Sequence, residues 1–404
     1  MASSMEHLYA PRALKVQASA IREICKLIAR PEIRSLAGGW PDPLTFPVEE
    51  IRDITVEILR TRPELALQYT TSEGLAQLRE FLAQWIGRRD GVSCTAEHIL
   101  ITHGSAQGME LAAKVFIESG DVAFVGLPSY FGGSGALKTF EAEVVGVPED
   151  GDGMQPERLQ EKIVAVRAQG KRPKVVYVIP DFQNPAGTTM PMERRKRLVE
   201  LSVQHDLVIV EDNPYRDLRY SGESIPPIKA FDTAERVIYL RSFSKIFCPG
   251  LRLGFAVGHR DIIRRMVIAR QFEDCCANAL GQHILYEFCC RGLIDVQIEK
   301  NCVHYKKKRD VMLDALDQHF PPQVHWNRPE GGFFVFVTLP ASLDGEALLQ
   351  KAVERNVAFV AGAPFFEDGS GRNTLRLSFA QSELHHLEEA VAELGSILKV
   401  CLGV

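Results

Sequence analysis

Long apolar runs are missing from this chain. No stretch approaches the roughly 18 consecutive apolar residues that cross a bilayer, and Met1 to Pro11 lacks the charged-then-apolar pattern of a secretory signal. A cytoplasmic location is the resulting expectation. An excess of positive charge is missing too. Lys and Arg number 47 against 52 Asp and Glu, a formal charge of −5, so no overall positive field holds a polyanion, and neither nucleic acid nor membrane is expected as a partner. The basic run Lys306 to Arg309 lies in a helical-looking stretch, where a solvated face accounts for it. The nine cysteines are odd in number and irregularly spaced, with adjacent pairs at Cys275/Cys276 and Cys289/Cys290. That is neither a disulfide framework nor a C-x-x-C zinc spacing, so reduced, packing thiols are expected and no metal. No Asn-x-Ser/Thr sequon, internal repeat or low-complexity tract occurs.

What is present is ordinary globular composition over 404 residues, 46% hydrophobic and 25% charged, enough for two or three domains and a cleft between them. Helical spacing of Leu14, Ile21, Ile24 and Ile28 predicts a helix over 12–29, followed by the Gly/Pro-rich loop Ala37 to Pro43. Two more amphipathic stretches surround Ile51–Ile58 and Leu75–Trp85. Short apolar runs then follow at Ile99–Thr102, Val122–Val125, Val175–Ile179, Leu207–Val210, Val237–Leu240 and Leu253–Val257. Several are separated by helix-length segments, which predicts an α/β architecture with a mainly parallel central sheet covered by helices. This large domain is placed at 48–287. Residues 288–404 carry a long helical stretch around 293–320, short runs at Phe333–Thr338, Ala358–Val360 and Thr374–Ser378, and helices near 345–355 and 383–399. With residues 1–47 they are assigned to a smaller α+β domain.

In open parallel sheets ligands sit beyond the carboxyl ends of the strands, and the residues following these runs are polar. His103-Gly104-Ser105-Ala106-Gln107 opens a helix, where exposed N–H groups and the positive dipole end suit a phosphate, although a tight turn without ligand reads the same way. Asn184 stands in Pro180 to Gly187, in an Asn-Pro that also marks a plain turn. Glu211-Asp212-Asn213-Pro214-Tyr215 follows the fourth run, and a carboxylate such as Asp212 at a buried strand end calls for a cationic partner or a helix to cap. Arg241-Ser242-Phe243-Ser244-Lys245, with Arg252 close behind, offers an anion site or a nucleophilic lysine. A phosphate cradle, a carboxylate, a phenol, an amide and a lysine at one sheet edge form the inventory for pyridoxal 5′-phosphate. Its aldehyde needs a lysine amine, met by Lys245, and its pyridine nitrogen needs a carboxylate, met by Asp212.

Ser242-Phe243-Ser244-Lys245 with Pro249-Gly250-Leu251-Arg252-Leu253-Gly254 is the most specific stretch, and with it the chain resembles the fold-type-I pyridoxal-phosphate aminotransferases of class I/II. The resemblance is nearest to the branch of 2-aminoadipate and kynurenine aminotransferases and runs from Ser19 to Ser378. It implies that Lys245 holds the cofactor as a Schiff base and shuttles a proton, that Asp212 pairs with the pyridine nitrogen, and that Tyr215 and Asn184 bond the ring's phenolic oxygen. It further implies Ser105, Ala106, Gln107, Ser242, Ser244 and Arg252 around the phosphate and Tyr130 stacked on the ring. Arg376 would clamp the substrate α-carboxylate, and Gly38 and Gly39 would let backbone approach the substrate. Tyr69 would reach the phosphate of a neighbouring subunit, making a homodimer with shared active sites. Arg22, in the N-terminal helix, would suit an acidic substrate side chain.

Two positions depart from the family pattern: Ala186 stands in Asn184-Pro185-Ala186-Gly187 where a threonine is usual, and Ala361 where a proline is usual. Neither removes a group the reaction needs. Gly132 to Thr139 looks like a phosphate-binding loop, but Leu137 occupies the place of its required glycine, and zinc-protease and serine-hydrolase motifs do not occur. The implied function is transfer of an amino group from an L-amino acid to a 2-oxo acid such as 2-oxoglutarate by a ping-pong cycle. An acidic donor such as 2-aminoadipate or glutamate comes first, aromatic or branched donors after it. A lyase reaction on the same cofactor is the alternative, and the sensor domain of a transcription regulator, which needs a basic DNA-reading domain, is a remote one.

Overall fold

A computed structural model describes residues 5–15, 30 and 32–404. Its centre is an eight-stranded sheet in the order Ile99–Thr102, Gly254–Val257, Val237–Ser242, Val208–Asn213, Pro173–Val178, Val122–Leu127, Glu143–Asp150, Gly153–Met154. The pairs from Val237–Ser242 across to Glu143–Asp150 are parallel. Gly254–Val257 runs antiparallel between Ile99–Thr102 and Val237–Ser242, and Gly153–Met154 antiparallel at the far edge. All six apolar runs therefore lie in this sheet, and their near-continuous burial follows from helices covering both faces. The strand Glu143–Asp150 is an addition to that reading.

This topology gathers the site. The parallel strands deliver residues 103–107, 128–130, 180–187, 211–215 and 241–245 to one edge, as the general rule for such sheets requires. Arg252 reaches the same edge from the opposite direction: Gly254 pairs in register with both Thr102 and Ser242, so the residues just before the antiparallel strand arrive where its neighbours end.

A second, four-stranded antiparallel sheet runs His325–Trp326, Phe334–Thr338, Thr374–Ser378, Val360–Ala361. The 27-residue helix Leu293–His319 and the helix Leu384–Leu402 pack together beside it. Arg34–Ser35 pairs in parallel with Val357–Ala358, and Leu36 continues the contact through its carbonyl to Ser378 N at 2.7 Å. The loop carrying Gly38 and Gly39 is thereby stitched to the small sheet. Asp42 anchors its far end, accepting from Lys308 Nζ and meeting His304 Nε2 at 2.9 Å, while its own N–H donates to Tyr305 Oη at 2.9 Å. Of the predicted N-terminal helix only Pro11–Lys15 falls among the described residues.

No helix of the described residues is long and apolar enough to cross a membrane. The eight described cysteines are free thiols. The loop-like run Gly132 to Thr139 lies inside the helix Phe131–Thr139.

Candidate active site

Lys245 follows the strand Val237–Ser242 and points inward, its Nζ donating to Gly39 O at 2.9 Å. Burial is the main reason its pKa falls from the usual 10.5 to about 8, and the nearby cations Arg252 and Arg376 lower it further. A lysine held in this way carries a substantial neutral fraction near neutral pH, the form that attacks carbonyl groups. Its amine lies 6.0 Å from the centre of the Tyr215 ring.

Asp212 is buried near the end of the strand Val208–Asn213. Among the described residues neither a cation nor a helix to cap meets it, in contrast to the expectation from sequence. Its Oδ2 accepts from Tyr177 Oη at 3.0 Å, and Oδ1 meets no hydrogen-bond partner among the described residues. Burial raises its pKa from 3.8 to about 6 against the opposing pull of Tyr177 and Ser105. A buried carboxylate with one oxygen held and the other open is a site for a protonated ring nitrogen. Tyr177, the donor to Asp212, is a residue that the sequence patterns do not single out. Its signal was a phenol in the middle of the otherwise apolar run Val175–Ile179, where a buried hydroxyl demands a partner.

Tyr215 is buried with its ring edge-on to Phe333 and Phe334, each at 5.6 Å between centroids. Burial pushes its phenol pKa up, while Arg376 and a hydrogen bond with Asn184 pull it down. Arg376 Nη1 donates to Asn184 Oδ1 at 2.9 Å and Nη2 to Ala37 O at 2.7 Å. Its guanidinium lies 4.2 Å from the centre of the Phe334 ring and 5.3 Å from that of Phe365. Gly39 stands at the same place, and a Cβ there would come within 3.0 Å of the Phe334 ring, so a larger residue would displace this wall.

The helix Gly104–Phe116 opens with Gly104 at φ +74°, and a Cβ at Gly104 would lie 2.8 Å from Arg252 Nη2. Arg252 donates to His103 O at 3.0 Å and to Ser244 Oγ at 3.3 Å, and Ser242 Oγ donates to Ser244 Oγ at 3.0 Å. Ser105 and Ala106 sit in the first turn, where N–H groups lack intrahelical partners. Gln107 supports this turn from behind, accepting from His103 N at 2.9 Å and donating to Asp274 Oδ2 at 2.5 Å. Two hydroxyls, a guanidinium and a helix start around a glycine fit a phosphate dianion.

Tyr130 ends the turn after the strand Val122–Leu127, half-buried and packed on Phe131 at 5.0 Å. Tyr69 is apart from this group, 80% exposed on the chain's surface. Arg22 lies outside the described residues. Arg241, inside the strand Val237–Ser242 and next to Ser242, turns to the opposite face. There Asp90 accepts from Arg241 Nη1 at 2.6 Å and Arg216 Nε at 2.9 Å, Asp217 accepts from Arg241 Nη2 and from Arg89 Nε at 2.7 Å, and Asp181 joins Arg195 and Arg216. Arg216 and Asp217 follow Tyr215 directly, so this buried ion cluster ties the Tyr215 loop and the Ser242–Lys245 loop to the helix end at Arg89 and Asp90.

A lysine, a half-engaged carboxylate and a phosphate cradle at the carboxyl edge of this sheet define a pyridoxal-phosphate transferase of fold type I. The sequence model of the family described as aminotransferase class I and II matches residues 41–394. Aromatic-amino-acid aminotransferase 1 of Thermococcus litoralis is 44% identical over 98% of this chain and 94% of its own length. The 2-aminoadipate transaminase of Thermus thermophilus is 40% identical over 99% of both. The crystal structure of Pyrococcus horikoshii kynurenine aminotransferase with PMP superposes with a TM-score of 0.95 at 42% identity, covering 99% of this chain and 98% of that one. The chain belongs to the class I and II aminotransferases, and its cofactor is pyridoxal phosphate.

Proposed function

We propose that this aminotransferase moves an amino group from an L-amino acid to a 2-oxo acid such as 2-oxoglutarate in a ping-pong cycle. The observation that carries the reading is the neighbourhood of Lys245, which holds a buried amine of lowered pKa between Gly39 and the Tyr215 ring, with Arg376 close enough to depress it. A substrate bound by its carboxylate at Arg376 thus presents its Cα near the lysine. Bound pyridoxal phosphate supplies the aldehyde that takes up the amino group and the ring that accepts the electron pair left when the Cα–H bond breaks. Lys245 Nζ attaches the cofactor and, once released, carries the proton between the substrate Cα and the cofactor C4′. Asp212 Oδ1 keeps the ring nitrogen protonated, and Tyr215 and Asn184 bond the phenolic oxygen. Ser105, Ala106, Gln107, Ser242, Ser244 and Arg252 hold the phosphate, by backbone N–H in the case of Gln107, whose amide is engaged with Asp274. Tyr130 stacks on the ring.

The donor read first from sequence is acidic, 2-aminoadipate or glutamate, with Arg22 reading the side chain. The described walls beside Arg376 are rings, Phe334 and Phe365, with Phe131 6.1 Å from Phe365. They widen the donor range to aromatic and branched side chains, and the relatives named for aromatic amino acids and 2-aminoadipate support both classes. A donor panel at fixed 2-oxoglutarate, scored by glutamate formed, tests the reading. Transfer to give one glutamate per oxo acid is expected. Ammonia release without an acceptor would replace it by the lyase alternative.

A homodimer in the cytoplasm completes the proposal. Exposed Leu44, Leu65, Leu67, Tyr69 and Phe272 supply apolar surface for a second copy, which would bring Tyr69 to the partner's phosphate. The domain division at 48–287 belongs to the same proposal, supported by the strands of the large sheet falling between 99 and 257 and by the pairing of Arg34–Ser35 with Val357–Ala358.

A further inference from the structure

Asp212 and Glu211 are adjacent carboxylates at the site edge, and the structure treats them differently. Glu211 faces the far side of the sheet, where its oxygens accept from the Asn213 side chain and from Ile228 and Lys229 N–H, each at 2.8 Å. Asp212 has one oxygen held and one open. The holding group is Tyr177, fully buried on the neighbouring strand. Its register partner is Val210, so Asp212, two residues on, shares its face of the sheet. We propose that Tyr177 is a positioning residue: its hydroxyl fixes Asp212 by Oδ2 so that Oδ1 is presented to the pyridine nitrogen of the cofactor. The inference rests on the assignment of Asp212 made above.

A carboxylate turns easily about its last torsion, whose energy profile is broad. A hydrogen bond at 3.0 Å from a buried phenol, with Ser105 as a weaker second influence, restricts that freedom and leaves Oδ1 facing the site. The phenol is itself fixed. Gly133, in the helix that begins after Tyr130, abuts it so closely that a Cβ there would lie 2.2 Å from the ring's Cζ and 2.7 Å from Oη. Burial and the neighbouring Asp212 hold the Tyr177 pKa well above its usual 10, so the group stays a donor at any working pH.

The test is reconstitution of cofactor-free protein with pyridoxal phosphate, followed by absorbance of the bound form to give Kd. Tyr177→Phe removes one oxygen and keeps the ring in its packing. The loss of a hydrogen bond to a charged group predicts Kd raised about 10- to 100-fold, with a shifted absorbance band. Asp212→Asn raises Kd at least as far, and the double variant is no weaker than Asp212→Asn alone, because the phenol acts through that carboxylate. Gly133→Ala, which pushes on the phenol, weakens binding in the same direction while both site carboxylates are intact. Multiplying effects of Tyr177→Phe and Asp212→Asn, or an unchanged Kd and band in Tyr177→Phe alongside a weak Asp212→Asn, would reduce Tyr177 to packing and overturn the proposal. Native affinity in Asp212→Asn itself would instead overturn the assignment of Asp212.

Discussion

A buried carboxylate with one oxygen left open for a cofactor costs stability while the cofactor is away. Asp212 is buried with its pKa raised from 3.8 to about 6, so between those values the folded chain binds more protons than the unfolded one. Stability is therefore lost as pH rises through that window, and the loss is complete above it. At roughly 1.36 kcal/mol per unit, the cost reaches about 3 kcal/mol at pH 7.5 and about 1.5 kcal/mol at pH 5. Asp212→Asn keeps the shape and an acceptor for the Tyr177 hydroxyl but removes the charge. In urea unfolding of cofactor-free protein, the variant is expected to be more stable than the parent at pH 7.5 by about this amount, with the gap halved at pH 5. Cofactor binding should fall in the same variant, since the group that destabilises the empty chain is the one that holds the ring. An unchanged or lower stability at pH 7.5, or a gap independent of pH, would refute the reasoning.

The lowered Lys245 pKa of about 8 makes the rate of cofactor attachment rise about tenfold between pH 7 and 9 and then level off in stopped-flow absorbance; a rate still climbing steeply above pH 10 would show an ordinary lysine. Arg376→Lys loses the planar fork and is expected to raise KM for the amino donor about 10- to 100-fold with a smaller change in kcat, read from steady-state kinetics. Asp90→Ala removes one of the two carboxylate partners of both Arg216 and Arg241, leaving them Asp181 and Asp217, and should cost about 3 kcal/mol in unfolding measurements, more than removing a surface pair among the described residues. If Tyr69 completes the partner's site, mixing inactive Tyr69→Ala and Lys245→Ala chains restores activity at one site in each hybrid dimer, and activity that stays absent after subunit exchange would remove Tyr69 from the site.

The central strands were legible because burial on both faces writes them as continuous apolar runs, and the polar residues after each run were legible because they break that pattern abruptly. The strand Glu143–Asp150 is not legible in the sequence for the complementary reason. It lies toward the sheet's edge, mostly half-exposed, with Gly146 and Pro148 interrupting its valines. Arg241 and Arg252 lie eleven residues apart on either side of Lys245, and either could serve an anion as far as the sequence tells. Arg241 lies within the strand Val237–Ser242, whose alternation sends it to Asp90 and Asp217 on the far face, while Arg252, just before the antiparallel strand Gly254–Val257, meets Ser244 and His103. The partner of Asp212 is not legible in the sequence because it is a neutral phenol on another strand, set by sheet register rather than by spacing in the chain.

The central claim is that Lys245, Asp212 and Arg376 serve a reversible transfer of an amino group. Titrating the holoenzyme with single L-amino acids in the absence of any acceptor, while recording its absorbance, tests it most directly. The account predicts conversion of the bound-cofactor band to that of the amine form by glutamate and at least one further donor, and its return on adding 2-oxoglutarate. A band that never changes with any donor, or one that changes with release of ammonia and does not return with 2-oxoglutarate, would contradict it.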